Sequence, residues 1–120
     1  MLPITVMENE EIAASGSAAS RPITWDSEIP QNGLGKLSVQ IAFTGLGTIT
    51  LAWEASNLPA AATFKTPANE TATDIDTGVT TGTYVLGVPI DHLYKFIRFT
   101  VTETGTTNGV VVTSVIITAH

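Results

Sequence analysis

Between Lys36 and Thr44 the side chains alternate strictly: Leu37, Val39, Ile41 and Phe43 are apolar, whereas Lys36, Ser38, Gln40 and Thr44 are polar. A period of two belongs to a strand with one buried and one wetted face, because a helix would repeat its apolar positions every three or four residues. The same period resumes after Gly45-Leu46-Gly47, with Ile49, Leu51 and Trp53 opposite Thr48, Thr50 and Glu54. A short glycine-bearing loop between two alternating runs reads as a β-hairpin. Ile97, Phe99 and Val101 repeat the pattern within Tyr94 to Thr104, and the loop Gly105 to Gly109 reads as closing a second hairpin onto Val110 to Thr118. That last run is apolar on both faces, at Val110, Val111, Val112, Val115, Ile116 and Ile117, which places it centrally in a sheet or under a subunit.

Shorter strands are expected around Glu70 to Ile75 and Thr83 to Val88, separated by Thr77-Gly78 and Thr81-Gly82 turns. Asn57 to Pro67 holds two prolines and the run Ala60-Ala61-Ala62, so it reads as a loop or ragged edge. Met1 to Ser20 is acidic at first and then rich in Ala and Ser, which specifies register weakly. It reads as an N-terminal arm or edge strands, with short pairing segments at Ile4 to Val6 and Glu11 to Ala14. Seven or eight strands with no helical period predict an all-β fold, an antiparallel β-sandwich of jelly-roll-like type. At 120 residues the chain has room for one core, so residues 21–120 are expected to form the sandwich behind an arm of residues 1–20.

Charged residues make up only 13% of the chain and hydrophobic ones 43%, which argues for a folded domain over a disordered one. There is no cysteine, so neither disulfides nor thiolate metal sites support the fold. Eleven acidic residues against five basic ones give a net charge of -6, which repels phosphate backbones and anionic lipid and makes nucleic acid and membranes unexpected partners. No apolar stretch approaches the roughly 20 residues of a membrane span, and Met1 to Glu11 lacks the basic start and apolar run of a secretory leader.

Residues able to carry chemistry are few. The two histidines, His92 and His120, lie near no nucleophile motif, so no catalytic residue is assigned. Asp74-Ile75-Asp76-Thr77-Gly78 opens like a calcium loop, but its twelfth position is Val85 and its glycine comes one place early. A turn with Asp capping its own backbone is the preferred reading, and neither metal nor cofactor is expected. Trp25, Trp53, Tyr84 and Tyr94 are the candidates for a sugar-stacking platform. Trp53 shares its face with Ile49 and Leu51 and is assigned to the core, leaving Trp25 as the better contact residue. Asn69-Glu70-Thr71 fits the glycosylation acceptor pattern, which is read as chance without a leader.

Three segments together resemble small β-sandwich virion proteins of tailed bacteriophages, the capsid decoration or cement proteins among them. They are GLGKLSVQIAFTGLGTITLAWEASN at Gly33 to Asn57, DIDTGVTTGTYVLGVP at Asp74 to Pro89, and IRFTVTETGTTNGVVVTSVIITAH at Ile97 to His120. In such proteins a "GTxT" strand ends in a Ser-Asn turn, and a "VTETG" strand leads through an Asn-bearing turn into a Val/Thr strand. Ser56-Asn57 departs from the pattern by continuing into Leu58-Pro59. The resemblance implies a non-enzymatic virion component, assembled in the host cytoplasm, that forms homotrimers and bridges subunits of the major capsid protein. It transfers no binding residues. The arm and the Asn57 to Pro67 loop are the expected contact segments, with Leu2, Ile4, Val6, Ile12, Trp25, Leu58 and Phe64 as candidate partner-binding residues. The alternative expectation is a carbohydrate- or receptor-binding sandwich using Trp25 with Tyr84 or Tyr94, or a neck, tail or baseplate component.

Overall fold

The computed structural model describes residues 3–24, 37–68, 74–88 and 94–119. Among these residues there are nine strands: β1 (Ile4–Ile12), β2 (Ser17–Ala19), β3 (Ile23–Thr24), β4 (Leu37–Gly45), β5 (Ile49–Ser56), β6 (Asp74–Val79), β7 (Gly82–Val88), β8 (Phe96–Glu103) and β9 (Val110–Ala119). One 3-10 turn, Ala61–Thr63, interrupts the β5–β6 connection. The strands form two antiparallel sheets, β1-β9-β4-β7 and β2-β8-β5-β6, with β3 continuing β2 along β8. The protein is an all-β sandwich. Among the described residues no helix is long and apolar enough to cross a membrane.

The alternation seen in the sequence is the burial pattern of the sandwich. Leu37, Val39, Ile41 and Phe43 of β4 face Ile49, Leu51 and Trp53 of β5 and Ile97, Phe99 and Val101 of β8 across the interior, each at most 3% exposed. Burying a side chain of this size contributes about 1.5–3 kcal/mol relative to leaving it in water, so these three strands carry much of the core. β9 is central in its sheet, between β1 and β4. Its two-sided apolar look has a geometric cause. A register shift opposite Ala42 and Phe43 inserts one extra residue, so Val110 and Val112 point inward before it and Val115 and Ile117 after it.

The expected hairpins are not hairpins. β4 and β5 lie in different sheets, as do β8 and β9, so both glycine-bearing loops cross the sandwich from one layer to the other. Alternation fixes which face of a strand is buried but not which sheet it joins, and a loop of a few residues can span the roughly 10 Å between layers. Four sets of pairings are nested, β5 with β6, β4 with β7, β2 and β3 with β8, and β1 with β9, and the ladders β4–β9 and β5–β8 join them into the two sheets. The first half of the chain therefore runs back along the second.

The residue 4–12 segment is one nine-residue edge strand paired along β9, from Ile4 opposite Ile117 to Ile12 opposite Val110. A bulge at Val6 turns both Val6 and Met7 inward. Ser20 stands between β2 and β3, where its hydroxyl accepts the Phe99 N–H (2.9 Å) and donates to the Arg21 carbonyl (3.0 Å). One side chain thus holds the ladder across the break in the strand.

Candidate functional site

Two features stand out above a plain core. The first is Glu103, at the end of β8 and 1% exposed. It occupies the next inward position after Ile97, Phe99 and Val101, so the pleat itself drives its carboxylate into the interior at one end of the sandwich. Oε1 accepts the N–H groups of Ser15 (3.1 Å) and Thr106 (2.8 Å), and Oε2 those of Thr48 (2.9 Å) and Gly105 (2.6 Å). The β1–β2 turn, the β4–β5 crossing and the β8–β9 crossing are all tied to this one side chain. Four donors fill the roughly four lone-pair sites of a carboxylate, so nothing is left to take a substrate proton or a metal. The Ser15 N–H is the largest influence holding the carboxyl below its usual range; burial opposes it, and the N–H groups of Gly105, Thr106 and Thr48 add to it. Glu103 is a structural knot.

Glycines let the loops close around that knot. A Cβ on Gly47 would sit 2.5 Å from the Asn108 carbonyl oxygen, and one on Gly109 would sit 2.6 Å from that of Ile12. Both obstacles are backbone, so they move only with the loops. Gly109→Ala is therefore expected to cost about 1–3 kcal/mol. Gly87→Ala on β7, where a Cβ meets nothing within 4 Å, is expected to stay within about 0.5 kcal/mol of the parent. Chemical denaturation of the two variants measures the contrast.

The second feature is the outer face of the β1-β9-β4-β7 sheet. A shallow hollow of about 400 Å³ there is lined by Pro3, Ser38, Val39, Gln40, Val85, Ile116 and Thr118, none of them charged. Val85, at 68%, is among the most exposed large apolar side chains described. The other sheet differs: its outer face carries the cross-strand ion pair of Arg98 and Glu54 (2.9 Å), with the guanidinium 4.6 Å from the centre of the Phe64 ring.

The candidate contact residues scatter. Val6, Ile12 and Phe64 are at most 5% exposed and are enclosed by this chain's own packing, so they have little surface left to offer a partner. Ile4 is half-buried against the core. Leu58 is 60% exposed on the β5–β6 connection, which is pinned to β5 by reciprocal backbone hydrogen bonds between Ala55 and Lys65 (3.0 Å each). Leu2 and Trp25 lie outside the described residues, as do His92, His120 and Asn69-Glu70-Thr71.

The aromatic platform is not assembled by the described residues. Trp53 is fully buried, the Tyr94 ring packs on it at 5.8 Å, and the half-buried Tyr84 donates its hydroxyl to the Thr80 carbonyl (2.7 Å). Asp74 and Asp76 lie on β6 rather than in a turn, and Asp76 Oδ1 accepts the Thr77 N–H (2.9 Å). No group of three or more potential metal-ligating His, Cys, Asp or Glu side chains forms among the described residues. Sequence reading missed both Glu103 and the uncharged stretch of that outer face over β4, β7 and β9. The first was signalled by the inward phase of β8, the second by the absence of charge at alternate positions of β4, β7 and β9. Compared with known proteins, the chain matches no family model, and no curated protein matches it.

Proposed function

We propose that the chain is a non-enzymatic structural component of a virion, of the capsid decoration or cement type, which bridges neighbouring major capsid subunits through its outer sheet face. The observation that carries this reading is the uncharged hollow on that face, lined by side chains such as Gln40, Val85 and Ile116. On a chain of net charge -6, a neutral hollow is where another protein can approach without desolvating ions. The nested strand pairing reads as jelly-roll winding, an architecture found in viral capsid and lectin domains. The sequence resemblance to phage virion proteins favours the first of these uses. Attachment at many equivalent sites would then build tight binding from weak contacts.

The segment 1–14 is not the place to test this, because deleting it removes β1 and the buried Val6, Met7 and Ile12. Charge on the face is the cleaner probe. The purified chain is expected to co-sediment with empty capsids of the phage that encodes it. The substitution Gln40→Arg, at an exposed position lining the hollow, is expected to abolish co-sedimentation while leaving the unfolding midpoint in place. Binding that ignores the added charge would move the contact to another surface such as Leu58. Absence of binding by the parent chain would reject the decoration role.

A further inference from the structure

An edge strand exposes a row of unpaired backbone donors and acceptors, and folded proteins usually blunt such edges with charge, bulges, proline or brevity. Three of the four sheet edges described here are blunted. β1 carries exposed Glu8, Glu10 and Glu11 and the Val6 bulge. β2 and β3 are three and two residues long, with Pro22 between them. β6 has two register irregularities and bears Asp74 and Asp76.

The fourth edge, β7, has none of these devices. Its sequence Gly82-Thr-Tyr-Val-Leu-Gly-Val contains no charge and no proline, and it pairs with β4 in unbroken register from Gly82 opposite Phe43 to Val88 opposite Leu37. Among the described residues no strand pairs with its other side. The seam between the sheets is also open here, because Tyr84 and Leu86 pack against the core yet remain only partly buried, as does Ile75 on β6.

We infer that β7 is a self-association edge, on which a second copy of this chain adds its own β7 antiparallel, about a two-fold axis at Val85, to make one continuous eight-stranded sheet. Charge selects the occupant. Two copies of a chain of net charge -6 repel wherever their acidic edges meet, whereas β7 and the adjoining face of β4 bring no charge to the contact. The register is self-complementary as well. Centring on Val85 sets Thr83 opposite Gly87 of the second copy on the outer face, small against small, and Tyr84 opposite Leu86 of the second copy on the inner side, where each covers apolar surface the other leaves wet. The neutral stretch over β4 and β7 would continue across the pair. This pairing is a property of the chain alone and does not rest on the virion reading. It also differs from the threefold arrangement that the sequence resemblance implies.

The chain lacks cysteine, so single cysteines report the geometry. In an antiparallel pair, directly opposed residues lie about 4.5–5.5 Å apart at Cα, inside the range a disulfide spans. Val85→Cys is expected to oxidise to a covalent dimer roughly tenfold or more faster than Val111→Cys, whose thiol meets its copy only by random collision. Light scattering of the parent chain is expected to give a dimer. Val85→Lys, at a site exposed enough to keep the fold, is expected to give a monomer with an unchanged unfolding profile by circular dichroism. Mixing Val85→Lys with Val85→Glu is expected to restore the dimer by opposing the introduced charges. A monomeric parent, a trimer, or a dimer indifferent to Val85→Lys would each overturn the inference, as would equal oxidation rates for the two cysteine variants.

Discussion

Replacing Trp53 by alanine is expected to lower the unfolding free energy by about 3–5 kcal/mol. The indole is 0% exposed at the centre of β5, directly opposite Phe99 on β8 and in ring contact with Tyr94. A domain of this kind is stable by only about 5–15 kcal/mol, so the alanine variant loses a large share of its margin. A second substitution separates packing from polarity. Nε1 of Trp53 is buried with no hydrogen-bond partner among the described residues, and a buried donor without an acceptor is costly. Trp53→Phe removes that donor and keeps a ring, so it is expected to cost no more than about 1.5 kcal/mol. Denaturant midpoints followed by far-UV circular dichroism give both values. If phenylalanine costs as much as alanine, the indole N–H is making a stabilising bond and the orphan assignment is wrong.

How much of this was legible beforehand differs from strand to strand. The faces of β4, β5 and β8 could be read directly, because each has one buried side and the two-residue period marks it. Their partners could not. Gly45 to Gly47 and Gly105 to Gly109 are compatible with a turn inside one sheet or a crossing between two. In the fold, backbone at Gly47 and Asn108, and at Gly109 and Ile12, comes too close for any Cβ, a relation between distant segments that no local pattern encodes. The acidic, then Ala- and Ser-rich start read as an arm or as edge strands, because such side chains specify register weakly, and the fold makes its first part an edge strand along β9. In the fold those charges sit on an exposed edge, while Val6, Met7 and Ile12 are inward. The apolar residues Val6, Ile12 and Phe64 were read as partner contacts because an isolated apolar side chain in a polar stretch can serve its own core or another molecule's, and only packing distinguishes them. The inward phase of Glu103 was visible in the period of β8, yet a carboxylate at a core position is paradoxical until the four backbone donors that satisfy it are brought together by the fold.

Those donors make Glu103 the expected origin of acid sensitivity. Its carboxyl is held below its ordinary value of 4.5 in the folded chain, so the native state favours the charged form more than the unfolded chain does. The stabilisation is complete at pH values above the unfolded value and drains away as pH falls through the lower, folded one. Protonation would put a proton into a cage already filled by the N–H groups of Ser15, Thr48, Gly105 and Thr106, and three connections would loosen together. Glu103→Gln is the isosteric test. Its amide keeps one acceptor oxygen and sets an NH2 group against N–H groups that can only donate, so the variant is expected to be the least stable of any single polar substitution in this chain at neutral pH. Its unfolding midpoint should also change much less than the parent's between neutral pH and pH values below 4.5, since the group that titrates is gone. Urea denaturation of both proteins across that range decides it. A glutamine variant as stable as the parent at pH 7, or one that keeps the parent's full acid dependence, would mean that the three loops are held by their glycine-to-backbone packing and that the carboxylate only fills the space between them.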